Sequence, residues 1–140
     1  VSRLNSQSPA NISLTYVGAG QVSNSSNVDV MVAGTDVWNS WQWATGAIAT
    51  TVPASNGTFY YGYGSLPNSG TVYINYAMVV IAPDQKNMSS NDAVKTIMHE
   101  LGHVYGMGHS YELNSLMSRY GVKEGKVYTY DYNEFRRMYP

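Results

Sequence analysis

The stretch His99-Glu100-Leu101-Gly102-His103-Val104-Tyr105-Gly106-Met107-Gly108-His109 contains every histidine in the chain, and its reading decides how the second half folds. His99 and His103 stand four residues apart, so on a helix they lie one turn above each other on one face and can grip a single ion. Gly106 can take a left-handed backbone without steric cost. The helix can therefore stop there and the chain can bring His109 back as a third ligand. Three neutral imidazoles leave one tetrahedral position for water, which is the donor set of a catalytic zinc ion and not of a closed structural one. Glu100, beside His99, is placed to exchange protons with that water without binding the metal.

A helical wheel at about 100° per residue gathers Val94, Ile97, Leu101 and Val104 on one side and sets His99 and His103 opposite them, facing a cleft. Gly102 falls near the histidines, where it adds no bulk to obstruct a substrate. The rival reading is three ordinary histidines on a buried helix, and the wheel opposes it. The spacing of the third histidine opposes it further, because the longer pattern is far rarer by chance than the five-residue core alone.

Composition narrows the remaining classes. At 140 residues the chain is long enough for one core and short for a second module. We therefore expect a single catalytic domain over 1–140, with an upper part of about 1–106 and a lower part of about 107–140. Charged residues are 12% of the chain, the net charge is −1, and no Lys or Arg occurs between Arg3 and Lys86. Neither a basic stripe for nucleic acid nor a run of apolar residues long enough to span a membrane is present. There is no cysteine, so stability must come from the core and bound metal. Val1 opens on polar sequence, as expected of a processed or trimmed chain.

Along the chain, alternation over Asn11–Val17 predicts a strand, and apolar spacings of three and four over Val28–Trp43 predict a first helix. Ala47–Val52, Thr58–Tyr63 and Thr71–Ala82 are rich in Val, Ile, Thr and Tyr and predict strands. Pro53–Gly57 and Gly64–Gly70 separate them. The last of these segments is long enough to bend near Asn75–Ala77. Ser89 with Asp92 reads as a variant capping box that opens the histidine helix, which runs to about Tyr105. A final helix is expected from Asp131, with Glu134 as its reciprocal cap and Phe135, Met138 and Tyr139 as its apolar face. The fold class is α+β, a twisted mixed sheet of about five strands packed on the first and histidine helices, with a C-terminal helix after the ligand loop.

The eleven-residue motif together with Ser115-Leu116-Met117 resembles the metzincin clan of zinc endopeptidases, whose members share a methionine-containing turn beneath the metal. Ser110 after the third histidine, and eight residues from His109 to Met117, make the chain most similar to a minimal bacterial matrixin. The resemblance implies a secreted, monomeric endopeptidase acting on extended protein substrates, with one zinc ion on His99, His103 and His109. It implies Glu100 as general base and then acid, and Met117 as the residue of the turn. It also implies that substrate adds as a strand to a sheet edge from within Thr71–Ala77, which makes Tyr73 and Asn75 candidate contacts.

The departures are informative. No further histidine remains for a second, structural zinc. Asp84 and Asp92 read as turn and helix-cap residues before they read as calcium ligands, which leaves structural calcium open. Ser118-Arg119-Tyr120 stands where the family carries Pro-x-Tyr, so Tyr120 is a candidate wall of the specificity pocket. The alternatives are another metzincin family, astacin- or snapalysin-like, and an inactive zinc-bound peptide-recognition module.

Overall fold

A computed structural model of the protein describes residues 30–33, 47–60, 74–85 and 87–139. These residues fall in two compact units, one within Gln21–Met88 and another from Ser89 onward. The division differs from the expected parts at 106 and 107, because the histidine helix clusters with the segment that follows it.

Among its described residues the first unit holds a four-stranded mixed sheet in the order β1-β4-β2-β3, formed by β1 (Val30–Ala33), β2 (Ala49–Ser55), β3 (Thr58–Phe59) and β4 (Tyr76–Ile81). Asn11–Val17 and most of Val28–Trp43 lie outside the described residues. Where Val28–Trp43 is described, the expected helix is a strand: Val30–Ala33 pairs parallel with Ala77–Val80. Spacings of three and four in a short apolar run do not separate helix from strand. Here the β-branched Val30 and Val32 follow their strand preference and the backbone ladder decides.

The expected separator Pro53–Gly57 is also mostly strand, since β2 continues through Ser55. Asn56 and Gly57 alone make the turn, with φ of 49° and 82°, the left-handed pair that a two-residue hairpin requires. Pro53 is tolerated because the carbonyl on its side of the strand faces Tyr60, whose N–H it accepts at 2.9 Å. The missing proline N–H therefore lies away from the β2–β4 ladder.

β4 is flanked on both sides, by β1 and by β2. Ala77 is opposite Val30 on one side and Pro53 on the other. Ala77, Met78, Val79 and Val80 are all buried, the pattern of an interior strand covered on both faces. The expected substrate edge within Thr71–Ala77 is thus corrected at its end, because Ala77, paired on both sides, has no free edge to offer. Tyr73 lies outside the described residues. Asn75 precedes β4, donates its N–H to the Ala54 carbonyl at 3.1 Å and accepts from Asn56 N–H at 3.2 Å through its side-chain oxygen.

The second unit contains α1 (Ser90–Val104) and α2 (Thr129–Met138). Ser89 caps α1 as expected: its Oγ accepts from Asp92 N–H at 3.2 Å and donates to the Asp92 carboxylate at 2.7 Å. Asp84 sits in a short 3-10 turn, Pro83–Gln85. α2 begins two residues before Asp131, and the reciprocal cap is Asp131 and not Glu134. Asp131 accepts the Tyr128 N–H at 2.9 Å, while Glu134 pairs with Arg137 at 2.8 Å. Phe135 is fully buried and meets Tyr105 edge to face at 5.5 Å. Tyr139 Oη donates to the Tyr105 carbonyl at 2.7 Å, fastening the end of α1 to α2.

The hairpin supplies a direct test. A Cβ at Gly57 meets no atom within 4 Å, so Gly57→Ala adds only left-handed backbone strain. It should lower stability by about 1–2 kcal/mol in urea unfolding. An unchanged midpoint would show that the turn does not hold this conformation.

Candidate metal centre

α1 presents His99 and His103 at the expected one-turn spacing and ends at Tyr105, after which Gly106 takes φ of 87° and turns the chain. The His103–Tyr105–Met107 region is closed by backbone bonds, with Gly106 N–H donating to His103 O at 2.9 Å and Met107 N–H to Gly102 O at 3.0 Å. His109 is thereby returned to the first two histidines. The ligand atoms of all three lie within 4.8 Å of one another.

Two backbone carbonyls decide which nitrogens face inward. His99 Nδ1 lies 2.7 Å from Leu116 O, and His103 Nδ1 lies 2.7 Å from Met107 O. A carbonyl can only accept, so each Nδ1 carries the hydrogen and each Nε2 keeps its lone pair. Burial holds all three imidazoles below their ordinary pKa, and His103 is pushed down to about 3. Neutral rings with free Nε2 lone pairs are the form that binds a metal.

The spacing fits a metal as well. His99 Nε2 and His109 Nε2 are 3.2 Å apart, and a tetrahedral zinc ion with bonds of ~2.0–2.1 Å separates its ligands by about 3.3 Å. A shared proton would use two of these rings. A cation uses all three.

Burial of α1 departs from the wheel. Leu101 is buried, but Val94 is exposed, and Thr96, Met98, Glu100 and Gly102 are buried instead. The helix is covered on the histidine side too, by the ligand loop and by the turn around Met117. Gly102 consequently has a role different from the one expected. A Cβ there would overlap the sulfur of fully buried Met117, so the glycine makes room for the methionine and not for a substrate.

That turn is held by Asp131, which sequence reasoning placed only at a helix start. The carboxylate is fully buried and accepts from Ser115 Oγ at 2.6 Å, Leu116 N–H at 2.7 Å and Tyr128 N–H at 2.9 Å. Ser115 Oγ in turn accepts from Met117 N–H at 2.9 Å. Leu116, whose N–H Asp131 holds, is the residue whose carbonyl orients His99. Orientation of a metal ligand by such a partner is a recurrent part of metal sites.

Glu100, next to His99 on α1, is 5% exposed and makes an interaction of its own. Tyr120 is exposed at the surface. Asn75 belongs to the other unit, and Tyr73 lies outside the described residues. Among the described residues, His99, His103 and His109 form the one cluster of three or more potential metal ligands, and none adds a second zinc site. No helix among the described residues is long and apolar enough to cross a membrane.

The family model for matrixin, a peptidase family, matches residues 12–139. No significant match to a curated protein or to a solved structure is found.

Two substitutions test the packing. Gly102→Ala should destabilise by about 1–3 kcal/mol through overlap with Met117, and much of that loss should vanish in a Met117→Ala background, as a double-mutant cycle by urea unfolding will read. Simple additivity would separate the two residues. Asp131→Ala leaves three donors unpaired and should cost about 3 kcal/mol or more. It should also weaken zinc binding by about tenfold or more in chelator competition.

Proposed function

The chain belongs to the matrixin family, and on that premise we propose that it is a zinc-dependent endopeptidase with Glu100 as its proton-transfer residue. The observation that carries this reading is the convergence of three neutral imidazoles, two of them locked with Nε2 inward by backbone carbonyls. Zinc, when held there, supplies a Lewis acid and brings a water's pKa toward neutrality.

The chain's own residues supply the rest. Glu100 accepts a proton from the attacking water as its oxygen bonds to the peptide carbonyl carbon. It returns that proton to the amine nitrogen as the carbon–nitrogen bond breaks. Its place on a capped helix, one residue after a ligand, limits the reorganisation this requires. Met117 fills the floor against Gly102 and keeps water out from below. Tyr120, three residues after Met117, serves as the outer wall of a substrate side-chain pocket. Tyr73 and Asn75 remain substrate contacts on the strength of the resemblance, with the Asn75 amide already committed to Ala54. The enzyme is secreted and acts on extended, unstructured protein as a monomer with one catalytic zinc.

Cleavage of an unstructured protein, with zinc content measured in parallel, tests this reading. Chelator should abolish cleavage and added zinc should restore it. Glu100→Gln should keep the metal and the fold and lose about 10²–10⁴-fold in turnover. Chelator-resistant cleavage, or a Glu100→Gln variant that cuts at the wild-type rate, would overturn it. Zinc binding without cleavage would identify a recognition module.

A further inference from the structure

Beyond the third ligand, two segments are clamped together. Ser110 and Ser118 form an isolated parallel bridge, with Ser110 N–H donating to Met117 O at 2.7 Å and Arg119 N–H to Ser110 O at 2.9 Å. Both serines are buried, and the Ser110 side chain also accepts from Glu112 N–H at 2.9 Å. The residues next to the clamp point outward: Tyr111 is 70% exposed, Tyr120 is 64% exposed, and Arg119 is exposed between them in sequence.

These side chains are organised. The Arg119 guanidinium carbon lies 4.7 Å from the centroid of the Tyr111 ring, and Tyr111 meets Tyr120 edge to face at 6.4 Å. Among the described residues the ion pairs are Lys95–Asp92, Lys126–Glu124 and Arg137–Glu134, so no carboxylate neutralises Arg119. Stacking on a ring fixes the plane of a guanidinium and leaves its N–H edge available for two parallel bonds to a carboxylate. Arg119 is also tied to the metal centre through the backbone, because the carbonyl that its N–H meets belongs to Ser110, the residue after the third histidine. A single stacked guanidinium on a chain of net charge −1 suits one carboxylate and not a run of phosphates.

We propose that Arg119, stacked on Tyr111 and flanked by Tyr120, determines specificity by taking the carboxylate of an acidic side chain in the peptide substrate. This rests on the peptidase reading above. The backbone clamp makes the interaction effective, because the arginine is ordered before the substrate arrives and little rotamer entropy is left to lose.

The test uses the zinc-loaded protein and a peptide series in which one Glu is moved through positions on both sides of the cleaved bond, each with a Gln control. At one register the Glu peptide should be cleaved about fivefold faster in kcat/KM, mainly through KM. Arg119→Gln should bring that ratio close to one, and Arg119→Lys, a point charge without the fork, should retain only part of it. No Glu preference at any register, or a preference unchanged in Arg119→Gln, overturns the proposal. Equilibrium binding of the same labelled peptides to the Glu100→Gln variant needs no turnover. A Glu preference there that disappears when Arg119→Gln is added supports the proposal even if no peptide is cut, and equal binding of Glu and Gln peptides overturns it. Failure of the wild type to cut any peptide contradicts the peptidase reading alone.

Discussion

The hydrogen bond from His99 Nδ1 to the Leu116 carbonyl joins the histidine helix α1 to the turn below it, and most of the second unit can be traced to that bond. Leu116 is held by Asp131, Asp131 also accepts the amide of Tyr128, the residue that caps α2, and α2 returns through Phe135 and Tyr139 to the end of α1. The circuit closes on itself. A ligand that would otherwise sample rotamers is thereby tied to two helices. The cost of burying the Asp131 carboxylate is offset by three donors aimed at it, two of them backbone amides whose positions are fixed by the fold.

The same circuit explains the electrostatics. Imidazoles packed against a helix, a glycine turn and a methionine lose the solvation that a charged ring needs, so they stay neutral. Carbonyl acceptors then choose the tautomer, and the lone pairs converge. Burial, which elsewhere opposes polar function, here prepares a metal site. Met117 contributes shape alone: its sulfur fills the space that Gly102 leaves, so the turn and the helix approach more closely than any larger residue at 102 would permit.

The candidate site was largely legible in the sequence because its signal is local. The four-residue spacing of His99 and His103, the glycine that must turn the helix, and the cap at Ser89 each depend on neighbours within one or two turns. The strand at Val30–Ala33 was not legible, because its pairing partner lies more than forty residues away and a four-residue apolar run fits either period. β2 was cut short at Pro53 for a related reason: a proline reads as a breaker until the side of the strand that its missing N–H faces is known. Asp131 shows the same limit within the site. Its helix-start position was visible, but its hold on Leu116, fifteen residues earlier, is a tertiary contact with no sequence period. Gly102 was read as space for substrate since nothing local indicated that Met117 would occupy it.

In the function proposed above, three histidines assemble one catalytic zinc and the chain cuts peptides with it. The most direct measurement is a titration of metal-free protein with zinc, following cleavage of an unstructured protein at each addition. Cleavage should be absent at zero metal and rise linearly until it saturates at one zinc per chain. Full cleavage by the metal-free protein, or saturation only at two zinc ions per chain, would contradict it.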